Sequence, residues 1–279
     1  MTATPVNLTG YTPIELRDKE FEQISRWVYD IAGIRLSDNK KALVTSRLGS
    51  RLRELRLTSF HQYLDIIANH KHPLSVTERQ KALNLLTTNE TFFFREIAHF
   101  DFIREVILPL KQGRKLRCWS AASSTGEEAY SLAMELATHH SGLWEIIGTD
   151  INVEVIERAS KGVYPLTRID HIPTAMLHQY CLKGAGAKAG TFKIKQELRR
   201  HVHFSQANLQ QPPESLGSFD LVFLRNVMIY FDLQSKTHVV ENVLRHLKPG
   251  GHLLIGHAES LNGISDKLTL IRPSVYIAG

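Results

Sequence analysis

The chain has 279 residues, 43% hydrophobic and 22% charged, with a formal net charge of +6 at neutral pH. That length holds one large domain, or one large and one small, and the composition excludes global disorder. No apolar run reaches the roughly 18 residues that span a bilayer, so direct membrane insertion is not expected. The opening MTATPVNLTGYTP has neither a basic region nor an apolar core and does not read as a signal peptide. Cys118 and Cys181 show no pairing pattern and no metal spacing, which fits a reducing cytoplasm.

Residues 14–88 read as a small all-helical domain. Phe21, Ile24, Val28 and Ile31 recur at helical spacing, as do Leu43, Leu48, Leu52 and Leu55. Ser37 and Asp38 are suitable caps for the second helix, and Phe60, Tyr63, Leu64 and Ile67 mark a third, closed by a turn at His72-Pro73. The second helix is basic: Arg35, Lys40, Lys41, Arg47, Arg51, Arg53 and Arg56 stand against only Asp38 and Glu54. Such a helix serves nucleic acid, an anionic membrane or an acidic protein, or is simply a solvated face. Lys40, Arg47 and Arg51 fall on one side at spacings of seven and four, so they can follow an acidic stripe on a partner helix.

Residues 89–115 read as a linker and first helix over a ligand site. The segment LTTNETFFFRE, 86–96, sets three phenylalanines beside Asn89, Thr91 and Arg95. Phe92 and Phe94 suit core packing, whereas the three polar residues suit a ligand.

From Leu116 to the end the pattern alternates between strand and helix. Strands are predicted near 116–120, 145–149, 201–205, 219–224 and 252–257, with a closely spaced pair near 268–271 and 275–278. Helices are predicted near 126–140, 152–160, 170–180 and 233–247. Alternation implies a parallel sheet covered by helices, and the terminal pair is too close for a crossover and must be antiparallel. The fold class is α/β: a class I methyltransferase (Rossmann-like) parallel sheet with a C-terminal antiparallel hairpin. Residues 181–205, with Gly184, Gly186 and Gly190 between short alternating runs, predict a small antiparallel β insertion. His201 and His203 share a strand face by the period of two, but without an acid or cysteine at ligand spacing no metal site is expected.

The chemistry concentrates after the first strand, in LRCWSAASSTGEEAY, 116–130. Strand, small-residue turn and helix N-terminus form a nucleotide-type cradle. A dinucleotide site wants three glycines to seat a pyrophosphate. Here only Gly126 is present, and Glu127 and Glu128 occupy the first turn. Carboxylates there repel phosphate and suit a cationic, hydroxyl-bearing ligand such as S-adenosylmethionine. Asp150 closes the next strand near where such folds place a ribose-binding acid, although capping the following helix is an alternative role. Asn208-Leu209 follows the third strand of the sheet, where an amide can read an adenine edge and a leucine can pack on its face. Leu224 ends the strand before Arg225-Asn226-Val227-Met228-Ile229-Tyr230-Phe231, and LKPGG, 247–251, is a helix stop and turn. DNA amino-methylating enzymes carry a proline pair where Val227 and Met228 stand, so a base amine is not the expected acceptor. A carboxylate acceptor is already ionised at neutral pH and needs no general base.

Taken together, TTNETFFFRE, WSAASSTGEEAYSLA, Asp150, Asn208-Leu209, FDLVFLRNVMIYF and LKPGG resemble the chemoreceptor glutamate methyltransferases, the CheR family, over roughly residues 20–278. The resemblance implies methyl transfer from S-adenosylmethionine to receptor glutamates in chemotactic adaptation, without a metal. It implies cofactor contacts from Asn89, Thr91, Arg95, Glu128, Asp150, Asn208, Leu209, Leu224, Arg225 and Asn226, with Arg95 and Tyr230 near the transferred methyl. It implies that the basic helical domain docks on acidic methylation helices, and that the β insertion grips a receptor's C-terminal peptide in some members. A cytoplasmic monomer that does not bind nucleic acid is expected. The competing readings are an RNA methyltransferase with a basic helical domain and a non-catalytic adenosyl-ligand sensor.

Overall fold

The structure, a computed structural model, describes residues 14–279; the signal-peptide reading of residues 1–13 lies outside the described residues. The described chain forms two compact units. One comprises the residues up to Asp30 together with Arg35–Thr87, and the other comprises Ile31–Ile34 with Thr88–Gly279.

The first unit is helical, with α1 at Asp18–Ala32, α2 at Lys41–Glu54, α3 at Phe60–Ala68 and α4 at Ser75–Leu86. Ile24 and Val28 of α1, Val44, Leu48 and Leu52 of α2 and Phe60 and Tyr63 of α3 supply fully buried side chains at helical spacing. Ser59 caps α3 by accepting from the Gln62 N–H at 3.3 Å. Ser37 makes no such bond, and α2 starts only after the 3-10 turn Asp38–Lys40.

Two of the three predicted docking residues are committed inside this unit. The Arg47 guanidinium donates to the carbonyls of Leu85, Leu86 and Thr87 at 2.9–3.3 Å, satisfying the open C-terminal end of α4. Arg51 pairs through Nε and Nη2 with both oxygens of Glu78, whose side chain is 1% exposed. The Tyr63 hydroxyl also donates to Glu78, at 3.3 Å. Helical spacing aligned these arginines correctly, but that side of α2 faces α4. Lys40 is exposed.

The second unit opens with α5 (Ala98–Phe102), which passes through a π turn into α6 (Leu108–Leu110). The strands of its sheet are β1 (Leu116–Ala121), β2 (Trp144–Asp150), β6 (Val202–Gln206), β7 (Phe219–Leu224), β8 (Leu247–Ile255), β9 (Leu268–Arg272) and β10 (Val275–Ala278). Their order is β6-β2-β1-β7-β8-β10-β9. The first five pair in parallel, and β10 runs antiparallel to both β8 and β9, as the close spacing of the last two strands requires. The helices α7 (Glu127–His139), α8 (Val153–Lys161) and α11 (Leu233–Arg245) are the crossovers. Two apolar clusters sandwich the sheet: Phe100, Leu132, Ile146 and Phe223 belong to one, Trp119, Val222, Val240 and Leu253 to the other. Phe93 and Phe94 are buried in the first cluster, while Phe92 is half-buried against His171. The core positions are therefore 93 and 94, not 92 and 94, because the linker turns here instead of extending.

The small sheet differs from its predicted bounds of 181–205. It is built from β3 (Val163–Pro165), β4 (Cys181–Lys183) and β5 (Thr191–Ile194), all antiparallel with β5 central. The helix α9 (Thr174–Tyr180) lies between its first two strands, and α10 (Gln196–Arg199) follows its last. The three residues of β3 are too few to show a period, and β6 belongs to the main sheet. Its first residue is Val202, so His201 precedes the strand and stacks on Trp144, with ring centroids 4.5 Å apart, instead of sharing a face with His203. The turn between β4 and β5 needs Gly184, where a Cβ would stand 2.1 Å from the Lys188 carbonyl oxygen.

Candidate active site

Strand order reverses at β1: β2 lies on one side of it and β7 on the other. In open α/β sheets this switch point, at the carboxyl ends of the strands, is where ligands bind. The loop after β1 and the segment after β7 both open there. Gly126 ends the β1 loop with φ of 94°, and a Cβ on it would meet Ala159, Phe204 and Tyr164 at 2.9–3.1 Å. The glycine is thus demanded by backbone conformation and by helix–sheet packing together. Ala122 and Ser124 also have positive φ.

Asp150 stands at the end of β2, buried. Its Oδ2 accepts from the Ser124 N–H and its Oδ1 from the Asn152 N–H, both at 2.9 Å. Burial raises its carboxyl, opposed by those N–H groups. The capping alternative fails, because Asn152 caps α8 with bonds to the N–H groups of Glu154 and Val155. Asp150 instead fastens the β1 loop to β2, and the Ser123 hydroxyl beside it is buried without a partner.

Arg225 is the hub of the site. Its side chain is 1% exposed. Nη1 donates to Glu128 Oε2 at 3.1 Å, Nη2 to Glu96 Oε2 at 3.0 Å and to the Arg95 carbonyl, and the plane lies over the Phe223 ring at 5.3 Å. Glu128 also accepts from the Ser120 hydroxyl at 2.6 Å. Burial would raise the Glu96 carboxyl, yet the Arg225 charge and hydrogen bonds hold it below the usual range. At Glu128 burial wins and the carboxyl is raised despite the same guanidinium. One arginine, with five donors in a rigid fork, thereby joins the linker, the first turn of α7 and the end of β7.

Asn226 follows with φ of 56°. Its amide donates to Glu96 Oε1 at 3.2 Å, and its N–H donates to Glu259 Oε2 at 2.9 Å. Glu259 also accepts from the N–H groups of Met228 and Gly256 at 2.8 and 2.7 Å. This carboxylate, which clamps the turn after β7, was missed in the sequence; so was the pairing of Glu96 with Arg225. A lone glutamate in a loop carries no signal of the backbone it will bind. Among the described residues, five of the seven non-glycine positions with positive φ are Phe94, Glu96, Ala122, Ser124 and Asn226. Such conformations cost about 1–3 kcal/mol each and persist where surrounding structure enforces them. Here all five sit in the three segments that Arg225 and Asp150 tie together.

The remaining predicted residues are placed as follows. Asn89 and Thr91 are half-buried, and their carbonyls accept from the Ser124 hydroxyl at 2.9 Å and from Arg168 at 2.5 Å. Arg95 is half-buried, donates to the Glu90 carbonyl at 3.1 Å and lies over Phe92. The Asn208 amide donates to the Ile31 carbonyl at 2.6 Å and accepts from the Gln210 N–H at 3.0 Å, so both its ends already hold backbone. Leu209 and Leu224 are core side chains. Tyr230 is half-buried at the edge of the same cluster.

A parallel sheet with an antiparallel terminal hairpin, acids in place of phosphate-binding glycines and an aspartate closing β2 define a class I methyltransferase. The family model described as CheR methyltransferase, SAM binding domain, matches residues 89–277, and that described as CheR methyltransferase, all-alpha domain, matches residues 19–87. A chemotaxis protein methyltransferase of Escherichia coli (strain K12) is 38% identical over 267 residues, covering 94% of this chain and 92% of the relative. Chemotaxis protein methyltransferase 2 of Pseudomonas aeruginosa is 37% identical over 280 residues, covering 99% and 98%. The Salmonella typhimurium relative is 37% identical over 277 residues, covering 98% and 94%. The chain belongs to the CheR methyltransferase family. It is an S-adenosylmethionine-dependent methyltransferase.

Proposed function

We propose that this enzyme methylates glutamate side chains of chemoreceptors in the cytoplasm, forming methyl esters. The observation that carries the reading is the charge of the cleft: Glu127 and Glu128 open α7 beside the loop where a phosphate-binding fold would present glycines, and Asp150 closes β2. S-adenosylmethionine supplies an electrophilic methyl on a sulfonium. Asp150 is the acceptor for its ribose hydroxyls, and the unpartnered Ser123 hydroxyl supplies a further polar contact. Glu128 contributes negative charge toward the cationic end, with Arg225 and Glu259 holding the loop geometry. Asn89, Thr91, Asn208, Leu209, Leu224 and Asn226 shape the remaining walls. An acceptor glutamate arrives ionised, so the protein has to orient it and exclude water more than move a proton. Arg95 and Tyr230 fill those roles: a cation to hold the carboxylate and a phenol at the edge of the apolar wall.

Exposed basic residues of the helical unit meet the acidic receptor helix, and Lys40 is the predicted docking residue that the fold leaves exposed. Edge strands β3 and β4 of the small sheet suit strand addition by a receptor tail. On one of its faces Val163, Lys193 and Leu182 lie in register and exposed. No described helix is long and apolar enough to cross a membrane; the receptor contributes the membrane anchor. Transfer of label from methyl-labelled cofactor to receptor-enriched membranes, with the label lost in mild base as methyl esters require, tests the reading. Base-stable label, or label on RNA, overturns it.

A further inference from the structure

Beside the cofactor cleft, on the side of the terminal hairpin, lie three groups with metal-ligating chemistry: Glu96, His99 and His257, whose ligand atoms all fall within 4.8 Å of one another. His99 is 1% exposed. Its Nε2 is 2.7 Å from the Ser274 hydroxyl. The single Ser274 proton is directed to the Pro273 carbonyl at 2.6 Å, so the hydroxyl accepts and His99 Nε2 donates. The tautomer assigned by this network leaves the Nδ1 lone pair bare. That Nδ1 is buried without a hydrogen-bond partner and faces Glu96 Oε2 at 3.5 Å. Two acceptors thus confront each other, an arrangement that an intervening cation relieves.

The third group closes the arrangement from the solvent side. His257 is half-exposed, its Nε2 lies 3.9 Å from Glu96 Oε2, and its ring meets that of His99 edge-on at 4.8 Å between centroids. With metal–ligand bonds near 2.1 Å, a tetrahedral ion sets its ligands about 3.4 Å apart. The two measured separations from Glu96 match that edge with little movement. The surrounding contacts are those of metal sites generally: the far nitrogen of His99 is fixed by Ser274, and Glu96 Oε1 is held by Asn226 and by the His257 N–H. The opposing charge is Arg225, whose Nη2 shares Oε2, so an ion and the guanidinium compete for one oxygen.

We propose that Glu96, His99 and His257 form a zinc-type transition-metal site whose occupation loosens Arg225 from Glu96 and slows methyl transfer. The site is inhibitory, separate from the cofactor, and open to solvent through His257. Its test uses the full chain stripped by a chelator. Calorimetric titration with zinc is expected to show one equivalent bound, weakened at least about tenfold in His257→Ala and by about tenfold in Ser274→Ala, with His201→Ala unchanged. His99→Ala is avoided because it empties a buried position. The transfer rate is expected to fall with zinc, recover with chelator, and lose that sensitivity in His257→Ala. No saturable binding up to about 1 mM, or equal affinity in His257→Ala, overturns the site. Intact binding with a zinc-indifferent rate overturns its link to Arg225. The binding arm is independent of which substrate is methylated.

Discussion

Arg225 reaches Glu128 across the switch point of the sheet, Nη1 to Oε2 at 3.1 Å, and so pins the first turn of α7 to the end of β7. An acid at that helix start gains from the helix dipole, but burial pushes its carboxyl upward. The guanidinium opposes the desolvation that raises this carboxyl.

It follows that Arg225→Ala strips two carboxylates, Glu96 and Glu128, of their shared partner. Losing one side of a buried pair costs about 3–5 kcal/mol. Arg225→Lys is expected to rescue little, since an ammonium cannot span both acids and the Arg95 carbonyl as the fork does. Denaturant titration of the three proteins measures this; a lysine variant as stable as the parent would refute the fork argument.

Asp150→Ala is expected to weaken S-adenosylhomocysteine binding by about 1–3 kcal/mol, because buried hydroxyls lose their acceptor. The variant also frees the Ser124 and Asn152 N–H groups, which loosens the β1 loop. Calorimetry on the alanine and asparagine variants separates the two effects, since the amide oxygen restores one acceptor without the charge. Unchanged affinity in Asp150→Ala would remove the ribose assignment.

Periodicity and spacing were enough for the main sheet, its antiparallel end and the helical unit, because burial patterns of two and 3.6 are written residue by residue. They missed β3, which has only three residues, and placed Phe92 inside where Phe93 is. The positions of Glu128 in the first turn of α7 and of Asp150 at the end of β2 were legible, since a motif fixes them. Glu96 and Glu259 were not, because their partners are backbone groups and an arginine far along the chain. Likewise, spacing aligned Arg47 and Arg51 on one face but could not tell whether that face meets a partner or the unit's own α4.

Glu135 gives a pH dependence. It is 1% exposed, one of its oxygens has no hydrogen-bond partner, and burial lifts its pKa to about 7 despite Arg104 at 3.4 Å. The folded state therefore holds a proton that the unfolded state, titrating near 4.5, has released. Stability falls as pH rises between those values and is constant above about 7, a loss on the order of 3 kcal/mol. Glu135→Gln is expected to raise the unfolding midpoint at pH 8 and leave it nearly unchanged at pH 4. Parallel stability curves for the two proteins across that range would count against it.

The two basic positions Arg51 and Lys40 separate docking from folding. Arg51 neutralises Glu78 inside the helical unit, so Arg51→Ala is expected to cost about 3–5 kcal/mol of stability and to mimic a docking defect by unfolding that unit. Lys40 and Arg56 are exposed, and each single surface charge contributes little to stability. The double reversal Lys40→Glu, Arg56→Glu is therefore expected to keep the melting temperature and the cofactor affinity while raising the KM for receptor. The effect should shrink as salt screens it, over a length of about 10 Å at 0.1 M. A receptor KM that stays at the wild-type value in the double reversal would move the docking face away from the two ends of α2.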